Sequence, residues 1–362
     1  MIAALLGGLV GVTLVTSPAR ADVGDVTEYP ITTAADTFPA GITTGPDRAL
    51  WFAESNSNKI GRMTTGGSVT DFPIPTGNSF PFDITTGPDR ALWFTEGTGN
   101  KIGRITTSGN ITEFPLPTAN SFPTGIALGR DGALWFTEGS GNKIGRITTR
   151  GRVTEYPVPT ADSFPYHIAA GQDGNLWFTE EISGKIGRIG LSGRITEFPL
   201  PSDFDFPFGI TAGPGGMWFT APGANAIGRI TFAGQIREFP LPTPDGGPDG
   251  ITKGPDGHLW FAEQSGRIGR ATPSGKITEF PVPDGANRLP FQITVGPDHN
   301  LWFTELFGNA VGRVQALPGT GTAKPHPNRP VRHDQGRVPP LHLPFRPVAG
   351  VWTSTGSTLP KG

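Results

Sequence analysis

The stretch PTGIALGRDGALWFTEGSGNKIGRITTRGRVTEYPVPT, residues 123–160, decides the fold. It contains four short runs rich in β-branched and aromatic residues: Gly125-Ile126-Ala127, Leu134 to Thr137, Lys143 to Ile147, and Val153 to Tyr156. Such runs read as strands when turn formers bound them. Between the first two runs the chain turns through Gly-Pro-Asp-type sequences. Gly87-Pro88-Asp89-Arg90 is the clearest copy: Pro pre-sets φ, and Asp can bond its own backbone. Between the third and fourth runs lies a hairpin signal such as Ser108-Gly109. Each run is joined to the next by a short turn, so the unit is a four-stranded antiparallel meander.

Outward from this stretch, the same sentence recurs. Trp-Phe pairs begin at Trp51, Trp93, Trp135, Trp177, Trp218, Trp260 and Trp302, spaced by 42, 42, 42, 41, 42 and 42 residues. Four strands per repeat of about 40 residues are the signature of propeller blades. One such sheet cannot bury both faces, so the blades must stack and close into a ring. The fourth run follows only six of the seven Trp-Phe pairs. The seventh repeat stops at Val311-Gly312-Arg313-Val314, and the missing copy, Val26-Thr27-Glu28-Tyr29, stands at the other end of the chain. The expected fold is therefore all-β, a seven-bladed propeller whose N-terminal strand completes the last blade and hides two sheet edges.

Composition agrees: 53 Gly and 38 Pro beside 24 Phe and 8 Trp suit many short strands around an aromatic core. A net charge of −2 gives no footprint for nucleic acid. The absence of Cys removes disulfides, thiolate metal sites and Cys nucleophiles. Residues 1–21 read as a signal peptide, with an apolar run Ile2 to Val15 and an Ala19-Arg20-Ala21 cleavage pattern, predicting a mature start near Asp22. The run is too short for a membrane span of about 20 residues. The expected location is secreted and extracellular, or periplasmic behind an outer membrane, with the propeller a monomer over residues 22–317. Residues 318–362, rich in Pro and basic groups without a hydrophobic pattern, are expected to be a disordered tail.

A residue present in every blade serves the blade first, so a site is sought in departures from the repeat. The recurrent Glu closing the second run (Glu54, Glu96, Glu138, Glu180, Glu263, Glu305) reads either as a crown of carboxylates for a cation or as an ion pair to the strand-three Lys or Arg, such as Lys101. Repetition favours the ion pair. The first run begins at the same end of the blade, just after Phe-Pro. The two positions there are Ala40-Gly41, Phe82-Asp83, Thr124-Gly125, Tyr166-His167, Phe208-Gly209, Asp249-Gly250 and Phe291-Gln292. Gly is the default at the second position, where inner strands crowd the axis. Asp83, His167 and Gln292 break it, and Asp249 breaks the first. These groups converge on one channel mouth within an aromatic rim, the usual form of a binding site. His167 and Asp83 are the candidate catalytic pair, and Tyr166, Asp249, Phe291 and Gln292 the candidate ligand contacts. No G-x-S-x-G elbow, P-loop or dinucleotide glycine pattern is present.

The unit Gly129 to Thr148, with Ile111 to Thr118, closely resembles the virginiamycin B (streptogramin B) lyase family over about residues 26–314. The resemblance implies a seven-bladed propeller and a carbon–oxygen lyase that linearises cyclic depsipeptide antibiotics, a route of antibiotic resistance. It also implies elimination assisted by Mg²⁺ and a His base. At the family's catalytic positions Glu305 remains as a metal carboxylate. Leu289 stands at the other carboxylate, Phe291 at the base, and Asp249 at the His of the preceding blade. The family's fold carries over; its mechanism at these positions does not. The alternatives are an enzyme with a relocated catalytic set built on His167, Asp83 and Glu305 or Glu180, and a noncatalytic propeller binding a peptide, glycan or cell-wall ligand at the mouth. A six-bladed lactonase-like metalloenzyme is disfavoured by the blade count.

Overall fold

A computed structural model describes residues 22–31, 36–202 and 205–318; the expected signal peptide and tail lie outside them. The described chain forms seven separate four-stranded antiparallel sheets, with one 3-10 turn at Gly285–Asn287. Within blade 3 the strands run Pro123–Leu128, Leu134–Glu138, Lys143–Ile147 and Val153–Pro157, from the axis outward. No helix among the described residues is long and apolar enough to cross a membrane.

Closure occurs as the missing outer strand implied. Val26–Pro30 pairs antiparallel with Ala310–Val314, from Val26 opposite Val314 to Pro30 opposite Ala310. Tyr29 stacks on Trp302 at 5.1 Å between ring centroids, as Phe114 stacks on Trp93 at 5.5 Å inside blade 2. The chain's first described strand thus fills the place that an ordinary outer strand fills elsewhere.

In five blades the Trp is held by a recurrent clamp. The Trp93 indole N–H donates to Asp89 Oδ1 at 3.0 Å, Arg104 Nε donates to Asp89 Oδ2 at 2.6 Å, and the guanidinium lies 6.0 Å from the Trp93 ring centre. Burial alone would raise the Asp89 pKa, but the bonds from Trp93 and Arg104 hold it below the ordinary carboxylate value. The turn aspartates and strand-three arginines are therefore structural. Blade 5 lacks that Asp, and its Trp218 donates instead to the Pro214 carbonyl at 3.1 Å. This shortened turn accounts for the single 41-residue spacing.

Among the described residues the strand-two Glu makes no ion pair to the strand-three Lys or Arg. Phe52 and Glu54 share one sheet face, and both lean across strand three toward the outer strand. A Cβ placed on Gly61 would meet the Phe52 ring at 2.3 Å and Glu54 Oε1 at 2.7 Å, which is why Gly recurs there in every blade. The Lys of strand three pairs with the acid of strand four instead: Lys143 Nζ lies 2.9 Å from Glu155 Oε2. Burial, with Glu155 alongside, pushes Glu138 up to about 8, while hydrogen bonds from Thr118 and Lys143 overcome burial and hold Glu155 low. Lys143 thus serves Glu155, and the buried Glu138 carboxyl keeps its proton to a higher pH.

Candidate functional site

The mouth is built by three contributions from each blade. The first is the residue before the inner-strand Pro. It takes positive φ in every blade: Phe38 (55°), Phe80 (52°), Phe122 (51°), Phe164 (52°), Phe206 (46°), Gly247 (59°) and Leu289 (55°). For a bulky residue this left-handed conformation costs on the order of 1–2 kcal/mol, and such strain gathers at ligand clamps. The second is the residue after the strand-two Glu, whose N–H donates to that left-handed residue's carbonyl. Glu181 N reaches Phe164 O at 3.1 Å, Gln264 N reaches Gly247 O at 3.0 Å, and Leu306 N reaches Leu289 O at 2.9 Å.

The third contribution is the inner-strand pair that departs from the repeat. In six blades the register slips there, between Pro123 and Ile126 in blade 3, so the two residues form a bulge. A bulge re-aims side chains, here toward the axis. The default Gly has a steric cause: a Cβ on Gly125 would stand 2.8 Å from both His167 Cα and Tyr166 O, and one on Gly41 2.6 Å from Asp83 Cα. The polar second-position residues, in blades 2, 4 and 7, are therefore each flanked by glycine on both sides.

Aromatic rings dominate the result. Phe82, Tyr166, Phe208 and Phe291 form a closed cycle around the axis, with centroids 5.6 Å apart for Phe82–Tyr166, 4.0 Å for Tyr166–Phe208, and 6.0 Å for both Phe208–Phe291 and Phe291–Phe82. Above them Phe38, Phe80, Phe122, Phe164 and Leu306 complete a cup, and among the described residues Glu181 is the one ionisable carboxyl group lining it. Ile182, Phe206 and Phe307, three of the large apolar residues exposed among the described residues, stand in the surrounding loops. An exposed apolar rim around a concave aromatic site marks an interaction surface.

Of the sequence candidates, Tyr166 and Phe291 line the cup. Asp83 and His167 do not line it; each follows a cup residue in the chain. They do approach each other: His167 Nε2 lies 3.6 Å from Asp83 Oδ2, beyond hydrogen-bond length. Asp83 accepts from Ile84 N at 2.8 Å and Ile126 N at 2.9 Å, and His167 Nδ1 is buried without a partner. Burial raises the Asp83 pKa against the opposing pull of His167. Gln292 is buried, its N–H donating to Thr304 Oγ1 at 3.1 Å. Asp249 is 1% exposed; Oδ1 accepts from Gln264 at 3.2 Å, while Oδ2 is buried without a partner. Burial and nearby Glu181 raise its pKa well above the usual value. Glu181 and Gln264 escaped the sequence reading, although tabulating the residue after each strand-two Glu would have found them: Ser55, Gly97, Gly139, Glu181, Pro222, Gln264, Leu306.

The chain matches the model of the virginiamycin B lyase family over residues 19–162 and 128–326. The chain belongs to the virginiamycin B lyase family. Virginiamycin B lyase from Staphylococcus aureus is 40% identical, with a TM-score of 0.77, over 81% of this chain and 99% of that one. A streptogramin B lyase structure is 36% identical over 81% and 98%, also at 0.77. A catalytically inactive histidine-to-alanine variant of the S. aureus virginiamycin B lyase, solved with quinupristin, is 39% identical over 81% and 99%, again at 0.77.

The Mg²⁺ that this family resemblance implies does not fit the residues present. Glu305, the remaining candidate ligand, is 0% exposed and accepts from Arg288 Nη1 at 3.2 Å; Glu28 of the outer strand lies beside the same guanidinium at 3.7 Å. Of the other virginiamycin B lyase positions, Leu289 and Phe291 offer carbon alone, and the Asp249 carboxyl, held on one oxygen by Gln264, joins no set of ligands among the described residues. Among the described residues no three His, Asp or Glu side chains gather as a metal would require.

Proposed function

We propose that this member of the virginiamycin B lyase family is a ligand-binding propeller. It holds an aromatic-bearing cyclic peptide or depsipeptide over the channel mouth, and does so without the metal and histidine chemistry of the lyases. One observation carries the reading: Phe291, at the position of the family's base, is one of the eight aromatic side chains that form the cup. Phe cannot accept a proton, and a closed cycle of rings offers stacking area in place of general-base catalysis. Binding of quinupristin followed by calorimetry tests it. Binding to the native protein should be lost in Phe291→Ala and Phe82→Ala; native protein that shows no binding would refute the reading.

A second reading, catalysis at His167 with Asp83 as its partner, is favoured by their 3.6 Å approach. A neutral imidazole there could take an α-proton during elimination. It predicts that His167→Ala abolishes turnover while leaving ligand binding intact. Export as a monomer is part of the proposal and is supported by residues 1–21. Protein recovered from the medium should begin near Asp22 on N-terminal sequencing.

A further inference from the structure

We infer that the cup selects an organic cation, an ammonium group carried on an apolar body. The inference rests on the reading of the mouth as a ligand site and names the chemistry that the ligand must bring. Glu181 lines the cup beside Tyr166 and Phe164, and its side chain has no hydrogen-bond or ion-pair partner among the described residues. Two blades further round, Asp249 is buried with Oδ2 unpartnered, its other oxygen held by Gln264. No Lys or Arg of the described residues reaches either carboxyl. Arg288, at the same mouth, is committed to Glu305 and Glu28.

Glu181 is half-buried at the cup wall, and an ionised carboxyl in so apolar a lining is costly unless a cation pairs with it. Ring faces attract a cation by their quadrupole, and a cage of several rings with one carboxylate is the arrangement that recognises alkylammonium groups. Size points the same way. The enclosed part of the cup is ≈ 40 Å³, by a measure in which one water needs about 10–15 Å³. A small head group enters it, and the body of the ligand lies on the rim at Ile182, Phe206 and Phe307. Gly247, which puts no ring above Asp249, leaves that side of the aromatic tier open.

The test compares benzyltrimethylammonium with its neutral carbon isostere, neopentylbenzene, by ligand-observed NMR titration of the whole chain. The native protein should bind the cation about tenfold more tightly, a difference of about 1.4 kcal/mol. Glu181→Gln, which keeps size and shape, should erase that preference and leave affinity for the neutral compound unchanged. Equal affinities in the native protein, or a preference that survives in Glu181→Gln, overturns the inference. If the neutral compound binds and Phe291→Ala abolishes it, the mouth remains a ligand site and only the cation selectivity fails. If neither compound binds, both readings fail.

Discussion

Arg288 donates to Glu305 Oε2 at 3.2 Å, and so the one carboxylate retained from the family's metal set is already matched by a cation of this chain. Burial and the neighbouring Glu28 push Glu305 up to about 7, against the pull of Arg288. Calorimetric titration with Mg²⁺ should therefore give no saturable heat at neutral pH. Saturable binding that Glu305→Gln removes would contradict this. Removing the guanidinium in Arg288→Ala leaves two crowded carboxyls. Because the Arg side chain is 30% exposed, the loss should fall below that of a fully buried pair, at about 1–3 kcal/mol in urea unfolding.

The buried strand-two carboxyls give the propeller a pH dependence of defined sign. Burial pushes Glu96, Glu138 and Glu263 from 4.5 up to about 8, and Glu54 and Glu180 to about 7. The folded protein holds these protons where the unfolded chain has released them. Stability is therefore full below about pH 4.5 for these groups and is lost as pH rises through 7 to 8. The lowered partners Glu113 and Glu155 act oppositely, but only in the acid range. Unfolding free energies at pH 6, 7.5 and 9 should decline, with Glu138→Gln losing about 1–3 kcal/mol less than the native protein across that interval. A flat native profile would contradict the upward shift of these carboxyls.

Thr137 joins two blades through one hydroxyl. It accepts from Gly125 N at 2.8 Å and donates to Tyr166 O of the next blade at 2.7 Å. Thr95, Thr179, Thr220 and Thr304 repeat the bond to the following blade. Thr137→Val keeps the shape, strands Gly125 N and leaves Tyr166 O with the Thr124 hydroxyl alone at 2.8 Å, so it should cost about 1–3 kcal/mol by chemical denaturation. Unchanged stability would mean that the link carries nothing.

Crowding at the axis makes a separate expectation. Gly125→Ala places a methyl 2.8 Å from His167 Cα and Tyr166 O, both backbone atoms that cannot swing away. It should destabilise by about 1–3 kcal/mol and disturb binding at the mouth, whereas Gly132→Ala meets no atom within 4 Å and pays only for its φ of 71°. Comparable melting temperatures for Gly125→Ala and the native protein would contradict the steric account.

The architecture was legible because each of its signals is local and repeated. Trp spacing counted the blades, and Val26 to Tyr29 supplied the outer strand that Val311 to Val314 lacked. The departures of Asp83, His167 and Gln292 from the default Gly were visible as well. What remained hidden depends on direction. Nothing in Phe-Pro announces that Phe80 or Phe164 adopts positive φ, because a residue before Pro ordinarily favours extended backbone. The course of Glu54 across Gly61 needed the phase of strand two relative to strand three, which spacing alone does not carry. Glu181 was missed because its position is occupied by a different residue type in almost every blade, and so it resembles a loop residue.

The central claim, a family member that binds without opening its ligand, is tested most directly by incubating the purified native chain with quinupristin and Mg²⁺ and following the antibiotic by chromatography. Elimination leaves the mass unchanged, so retention time and not mass must be read. The account expects the cyclic compound to be recovered intact after binding. A linear product that accumulates over many turnovers, and that disappears in His167→Ala, would contradict it.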